Sequence, residues 1–117
     1  MDLQEIKGED YSVEYDPQSV TVSFAGELSL SGTQEYAPLA KLLDDVAKEE
    51  PPQLTLNLKK LEFLNSSGIS LLSKFVLGLR KKKMIQILVV GSNDIPWQGK
   101  SLKNLEKLLP TLKLELE

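Results

Sequence analysis

The chain has 117 residues, a net charge of −3, 41% hydrophobic and 26% charged residues, which is enough for one globular domain with a single core. It contains no cysteine and no histidine, which excludes disulfides, thiol nucleophiles, thiolate metal sites and the Ser-His-Asp arrangement. The slight acidity offers nucleic acid no global basic field.

Met1-Asp2-Leu3-Gln4-Glu5 lacks the basic-then-apolar pattern of a signal peptide. Tyr11-Ser12-Val13-Glu14-Tyr15 alternates apolar and polar as a half-buried strand does. Asp16-Pro17-Gln18-Ser19 reads as a turn, and Val20, Val22 and Phe24 form a second strand, completing an antiparallel hairpin that ends at Gly26. Tyr36, Leu39, Ala40, Leu43, Val46 and Ala47 recur at three and four residues, which predicts a helix beginning close to Pro38 and stopped by Pro51-Pro52. Leu54, Leu56 and Leu58 predict a strand, followed by a loop that carries Asn65-Ser66-Ser67-Gly68.

Ile69, Leu72, Phe75, Val76 and Leu79 give the buried stripe of a second helix. Its last turn is Arg80-Lys81-Lys82-Lys83, cations that suit the negative end of the helix dipole. Met84 to Val90 is nearly all apolar, the pattern of a central strand covered on both faces. Asp94-Ile95-Pro96 opens a third helix that Pro110 stops. Leu112, Leu114 and Leu116 then alternate with charges as an edge strand. The order β-β-α-β-α-β-α-β implies one α/β domain over residues 1–117. It has a mixed, largely parallel sheet, an N-terminal antiparallel hairpin and three main helices. The longest apolar run, Ile85 to Gly91, is far too short to span a membrane, so a cytoplasmic location is the default expectation.

Asn65-Ser66-Ser67-Gly68 falls where the second helix starts. The first N–H groups of a helix have no internal partner and the dipole makes that end positive. Such a mouth takes Ser or Asn as a cap, accepts an anion, and tolerates a phosphorylated serine at little electrostatic cost. On spacing alone a plain cap explains the run.

With Asn57-Leu58, Phe63-Leu64-Asn65-Ser66-Ser67-Gly68-Ile69 and Gly26-Glu27-Leu28 taken together, the chain resembles a STAS domain, most closely the bacterial anti-sigma factor antagonists. That family has Asn-Leu ending a strand, Phe-Met-Asp-Ser-Ser-Gly-Leu opening a helix, and Gly-Glu-Leu closing its second strand. The element order is also the family's, so the resemblance spans essentially the whole chain and implies a single STAS-like domain. It further implies partner switching. The unphosphorylated form occupies a protein partner; the phosphorylated form lets go. A serine kinase of the histidine-kinase-like ATPase type adds the phosphate and a PP2C-type phosphatase removes it.

By position the acceptor is Ser66, with Ser67 the alternate. The resemblance assigns the partner surface to Gly26, Glu27, Leu28, Ser29, Asn65, Ser67 and Gly68, the last as a point of close backbone approach. It implies a kinase substrate, not an enzyme; the lack of His and Cys, the slight acidity and the short apolar runs add the expectation of no cofactor, metal, nucleic acid or membrane. Asn65 and Ser29 stand where the family has Asp, which marks a divergent branch. Asn-Ser-Ser also resembles the phosphorylated loop of regulators paired with SiaB-like kinases.

Other readings stay open beside this one. Asn65–Gly68 would serve equally as a small anion or nucleotide site, and a scaffold that no longer switches is a third reading. Arg80–Lys83 invites nucleic acid or anionic lipid but is also an ordinary solvated helix end. Trp97 is core packing, or an interface anchor if exposed. Asp44-Asp45 and Glu49-Glu50 are neighbours in sequence, and adjacent helical residues do not face each other as a catalytic dyad must.

Overall fold

In a computed structural model describing residues 2–82 and 84–117, six strands lie side by side in chain order. They are β1 (Gln4–Lys7), β2 (Tyr11–Asp16), β3 (Thr21–Leu28), β4 (Gln53–Leu64), β5 (Gln86–Gly91) and β6 (Lys113–Leu116). Helices α1 (Gly32–Lys48), α2 (Ser66–Gly78) and α3 (Pro96–Leu108) fill the crossovers, and a 3-10 turn, Leu79–Lys81, follows α2. Lys83, the last cation of the basic run, and Met1 lie outside the described residues. β1–β2 and β2–β3 pair antiparallel; the other three pairings are parallel.

Right-handed crossovers between successive neighbours place all the helices on one face of the sheet. Burial follows from that. Val22, Phe24, Leu54, Leu56, Ile87 and Val89 are buried against Leu39, Leu43, Val46, Leu72, Val76 and Leu102. On the other face Glu14 is exposed, and Ser23, Asn57 and Leu88 are only half-buried. The two-faced cover expected for Met84 to Val90 is therefore wrong: Met84 precedes β5 and is 82% exposed.

Three further differences have local causes. β1 has no strand pattern in the sequence, because Ile6 is its one apolar residue; it adds to the sheet edge by backbone pairing, Gln4 opposite Tyr15. α1 begins at Gly32, well before Pro38, which sits inside the helix. Gln34 and Pro38 are both exposed, so the carbonyl that Pro38 leaves without a donor is on the solvent side. β4 runs through the expected loop to Leu64. Against β3 it carries an extra residue between Asn57 and Lys60 and another between Leu61 and Phe63. These bulges break the two-residue alternation, so the buried leucines change from Leu54, Leu56, Leu58 to Leu58, Leu61, Leu64.

β5 pairs with β4 only as far as Asn57 opposite Val90. Beyond that point the β4 edge is met by the start of α3. The amide of Gln98, fully buried, donates to Leu58 O at 2.6 Å and Leu61 O at 2.9 Å and accepts from Ser92 N–H at 2.7 Å. Trp97 Nε1–H also donates to Leu61 O, at 3.2 Å. Trp97 is half-buried and packed on the core, so the packing reading holds for it. The basic run is tied down likewise: Arg80 Nε–H donates to Leu108 O at the end of α3, at 2.6 Å.

Candidate functional site: the mouth of the second helix

Parallel strands β3 and β4 end together, Leu28 opposite Leu64, and Asn65 N–H donates to Leu28 O at 3.1 Å. The chain then leaves β3 into residues 29–31 and leaves β4 directly into α2, so the two exits share one rim. Asn65 is the N-cap of α2, with extended backbone, and its Oδ1 accepts from Gly68 N–H at 2.9 Å. The same oxygen accepts from the Tyr36 hydroxyl at 2.6 Å, while Nδ2 donates to Leu30 O at 2.8 Å. Leu30 N–H in turn donates to the Tyr36 hydroxyl at 3.4 Å. A closed ring of hydrogen bonds thus fastens the β3–α1 connection to the start of α2. The partners settle the amide orientation, since an N–H only donates and a carbonyl only accepts. Burial, partly opposed by the Leu30 N–H, raises the Tyr36 phenol above its ordinary pKa.

Ser66 is the first residue of α2 and is exposed. It stands at the positive end of the dipole. Ser67 is half-buried and faces a hollow shared with Gly32, Thr33 and Tyr36. Glu27 and Ser29 are exposed and line a separate cleft with Glu9, Asp10, Tyr11 and Phe63. Phe63 is 46% exposed and gives that cleft an apolar surface.

Two expected surface residues lie elsewhere. Leu28 is 1% exposed, a core side chain that cannot touch a partner in this conformation. Gly68 is buried, and a Cβ there would come within 2.3 Å of Leu64 Cδ1 and 2.8 Å of the Tyr36 hydroxyl. Its missing side chain is thus required by the fold's own packing. Gly26 is similar: its φ is +87° and a Cβ would sit 2.2 Å from Asp10 O, so β2 and β3 need glycine there. The helical spacing of Tyr36 marks it only as core. The available signal was its hydroxyl, since a tyrosine in an aliphatic stripe must bring that group to a partner.

Among the described residues no group of three or more acidic side chains is placed to hold a metal ion, and no helix is long and apolar enough to cross a membrane. No protein-family model and no curated protein sequence matches the chain. Solved structures do match. SiaC of Pseudomonas aeruginosa superposes with a TM-score of 0.76 at 13% identity, over 100% of this chain and 98% of that one. SiaC in its complex with the diguanylate cyclase SiaD, which it activates, gives 0.74 at 13% identity, over 97% and 99%. An anti-sigma factor antagonist from Mycobacterium paratuberculosis gives 0.59 at 25% identity, over 95% and 83%.

The domain is STAS-like. The SiaC likeness, at 13% identity, concerns the fold alone. Asn65 suits this place better than an aspartate would, for a reason visible in its surroundings. A carboxylate keeps the bonds to Gly68 N–H and Tyr36 but has no proton for Leu30 O.

Proposed function

We propose that the chain is a partner-binding regulator controlled by phosphorylation of Ser66. The observation that carries this reading is the exposed Ser66 at the first position of α2, on a rim where Asn65, Tyr36 and Leu30 are hydrogen-bonded to one another. A kinase of the histidine-kinase-like ATPase type transfers the γ-phosphoryl group of ATP. The Ser66 Oγ–P bond forms, ADP leaves, and the hydroxyl proton passes to the kinase. A PP2C-type phosphatase returns the serine. The chain itself is a substrate and a binder, working in the cytoplasm, and not an enzyme.

Binding of the unphosphorylated form uses the rim: Ser66 and Ser67 together with Glu27, Ser29 and the exposed Phe63. Phosphate adds about −1.5 to −2 charge at that spot and weakens docking by repulsion and desolvation, with no refolding. That SiaC is described as activating SiaD, and the other neighbour as an anti-sigma factor antagonist, supports a regulator that acts by occupying a protein. The competing anion-site reading has a local cost: an anion at the mouth competes with Asn65 for Gly68 N–H.

The test is incubation with such a kinase and ATP, followed by intact-mass analysis and site mapping. One phosphoryl group on Ser66 is expected, and none on Ser66→Ala. In pull-downs Ser66→Ala should bind the kinase constitutively and Ser66→Asp weakly; equal binding by both would defeat the reading.

A further inference from the structure

The seam between α1 and α2 is open along its length on the outer side. A hollow of about 380 Å³ lies at the Ser67 end. A second hollow shares Ala40, Leu71 and Lys74 with it, and a third shares Asp44, Lys74 and Phe75 with the second and ends at Lys48 and Lys82. The three form one groove. Side-chain size opens it: Gly32, Ala40, Ser67, Ser70 and Gly78 stand where larger residues would close the ridges of two packed helices. Leu43, Leu71 and Phe75 supply an apolar floor.

Both helices return between neighbouring parallel strands, so they run in the same direction. The groove follows them for the 13 residues of α2, roughly 20 Å at the helical rise. Its lining side chains carry a net positive charge, three lysines against one aspartate. The N-termini of α1 and α2 lie together at the Ser67 end and are positive. Lys74 lines all three hollows, and Lys48 and Lys82 join it at the far end, where Asp44, Glu50 at 3.6 Å from Lys82 and the negative ends of the two helices offset part of their charge.

We infer that this groove docks an amphipathic helix of a partner protein, its apolar face on Leu71 and Phe75 and its acidic residues toward Lys48 and Lys74. The inference rests on the reading of the chain as a partner binder, but not on phosphorylation. It also deepens that reading. Ser67 lines the mouth of the groove and Ser66 precedes it, so a phosphate there meets the acidic helix at its point of contact.

The test uses a display library of amphipathic helical peptides, about 18 residues long to span the groove, with randomised charged positions. It is selected against the full chain, and the binders are then measured on Ser70→Trp and Lys74→Glu. Both residues are exposed, so either variant keeps the core. Net-acidic helical peptides should be enriched, their binding abolished by Ser70→Trp and weakened about three- to tenfold by Lys74→Glu. Basic or extended winners, binders indifferent to both substitutions, or no binders at all would overturn the groove. None of these results bears on whether Ser66 is phosphorylated, which the mass analysis answers separately.

Discussion

Asn65 uses both ends of its amide at once, and that makes the residue hard to replace even by its nearest relative. Asn65→Asp keeps the cap on Gly68 N–H and gains a charge favoured by the dipole. It also faces Leu30 O with an acceptor where a donor stood. The unmade bond should outweigh the gain and lower stability by about 1–2 kcal/mol, read from urea unfolding; a variant as stable as the parent would show that the Leu30 link counts for nothing. Tyr36→Phe removes the third member of the ring and should lower stability by about 1 kcal/mol. The two variants should not be additive, because they break one network.

Alkali tests the same tyrosine. Burial raises its pKa from 10.0, so the folded state holds the phenolic proton longer than the unfolded chain does. The unfolded chain therefore loses protons first, and stability that is intact below pH 10 falls as the pH climbs through the folded value. Tyr15, also raised by burial, adds to that loss, so Tyr36→Phe should reduce the alkaline slope without abolishing it.

At the scale of elements, β4 is twice the length of β5, 12 residues against 6, and the difference has to be covered. Gln98 does it by standing in for missing ladder partners. Gln98→Leu should cost about 2–4 kcal/mol, because it strands Leu58 O and Ser92 N–H in a buried place. A loss near zero by denaturant titration would mean that water reaches this corner. α1 presents the opposite case. Pro38 lies inside the helix and on its exposed side. Pro38→Ala restores a donor to the carbonyl of Gln34 and should raise stability by about 1–3 kcal/mol. An unchanged melting midpoint would indicate that α1 is bent to suit the proline.

For the whole molecule, the proposed switch works by surface charge and leaves the core alone. Ser66→Asp should therefore leave the fold intact and change stability by at most about 1 kcal/mol, in the favourable direction set by the dipole, while partner binding falls. Loss of both stability and binding in one calorimetric and pull-down comparison would point to unfolding as the cause. The basic turn, tied into the fold by Arg80 to Leu108 O and Lys82 to Glu50, lies at the opposite end of α2 from Ser66.

Local chemistry alone determined much of this protein. The β2–β3 hairpin, the three helices and the succession of elements after β1 follow from periodicity and turn residues, and the Asn-Ser-Ser-Gly run announces a helix start because orphan N–H groups need such residues. Tertiary structure decided the remainder. The bulges of β4, the one-sided helix layer, the Tyr36–Asn65–Leu30 ring and the groove between α1 and α2 depend on residues far apart in sequence, 29 positions between Tyr36 and Asn65 and 35 between Leu30 and Asn65. Periodicity reports which side of its own element a residue occupies. It carries no information about which distant carbonyl or hydroxyl will be waiting there.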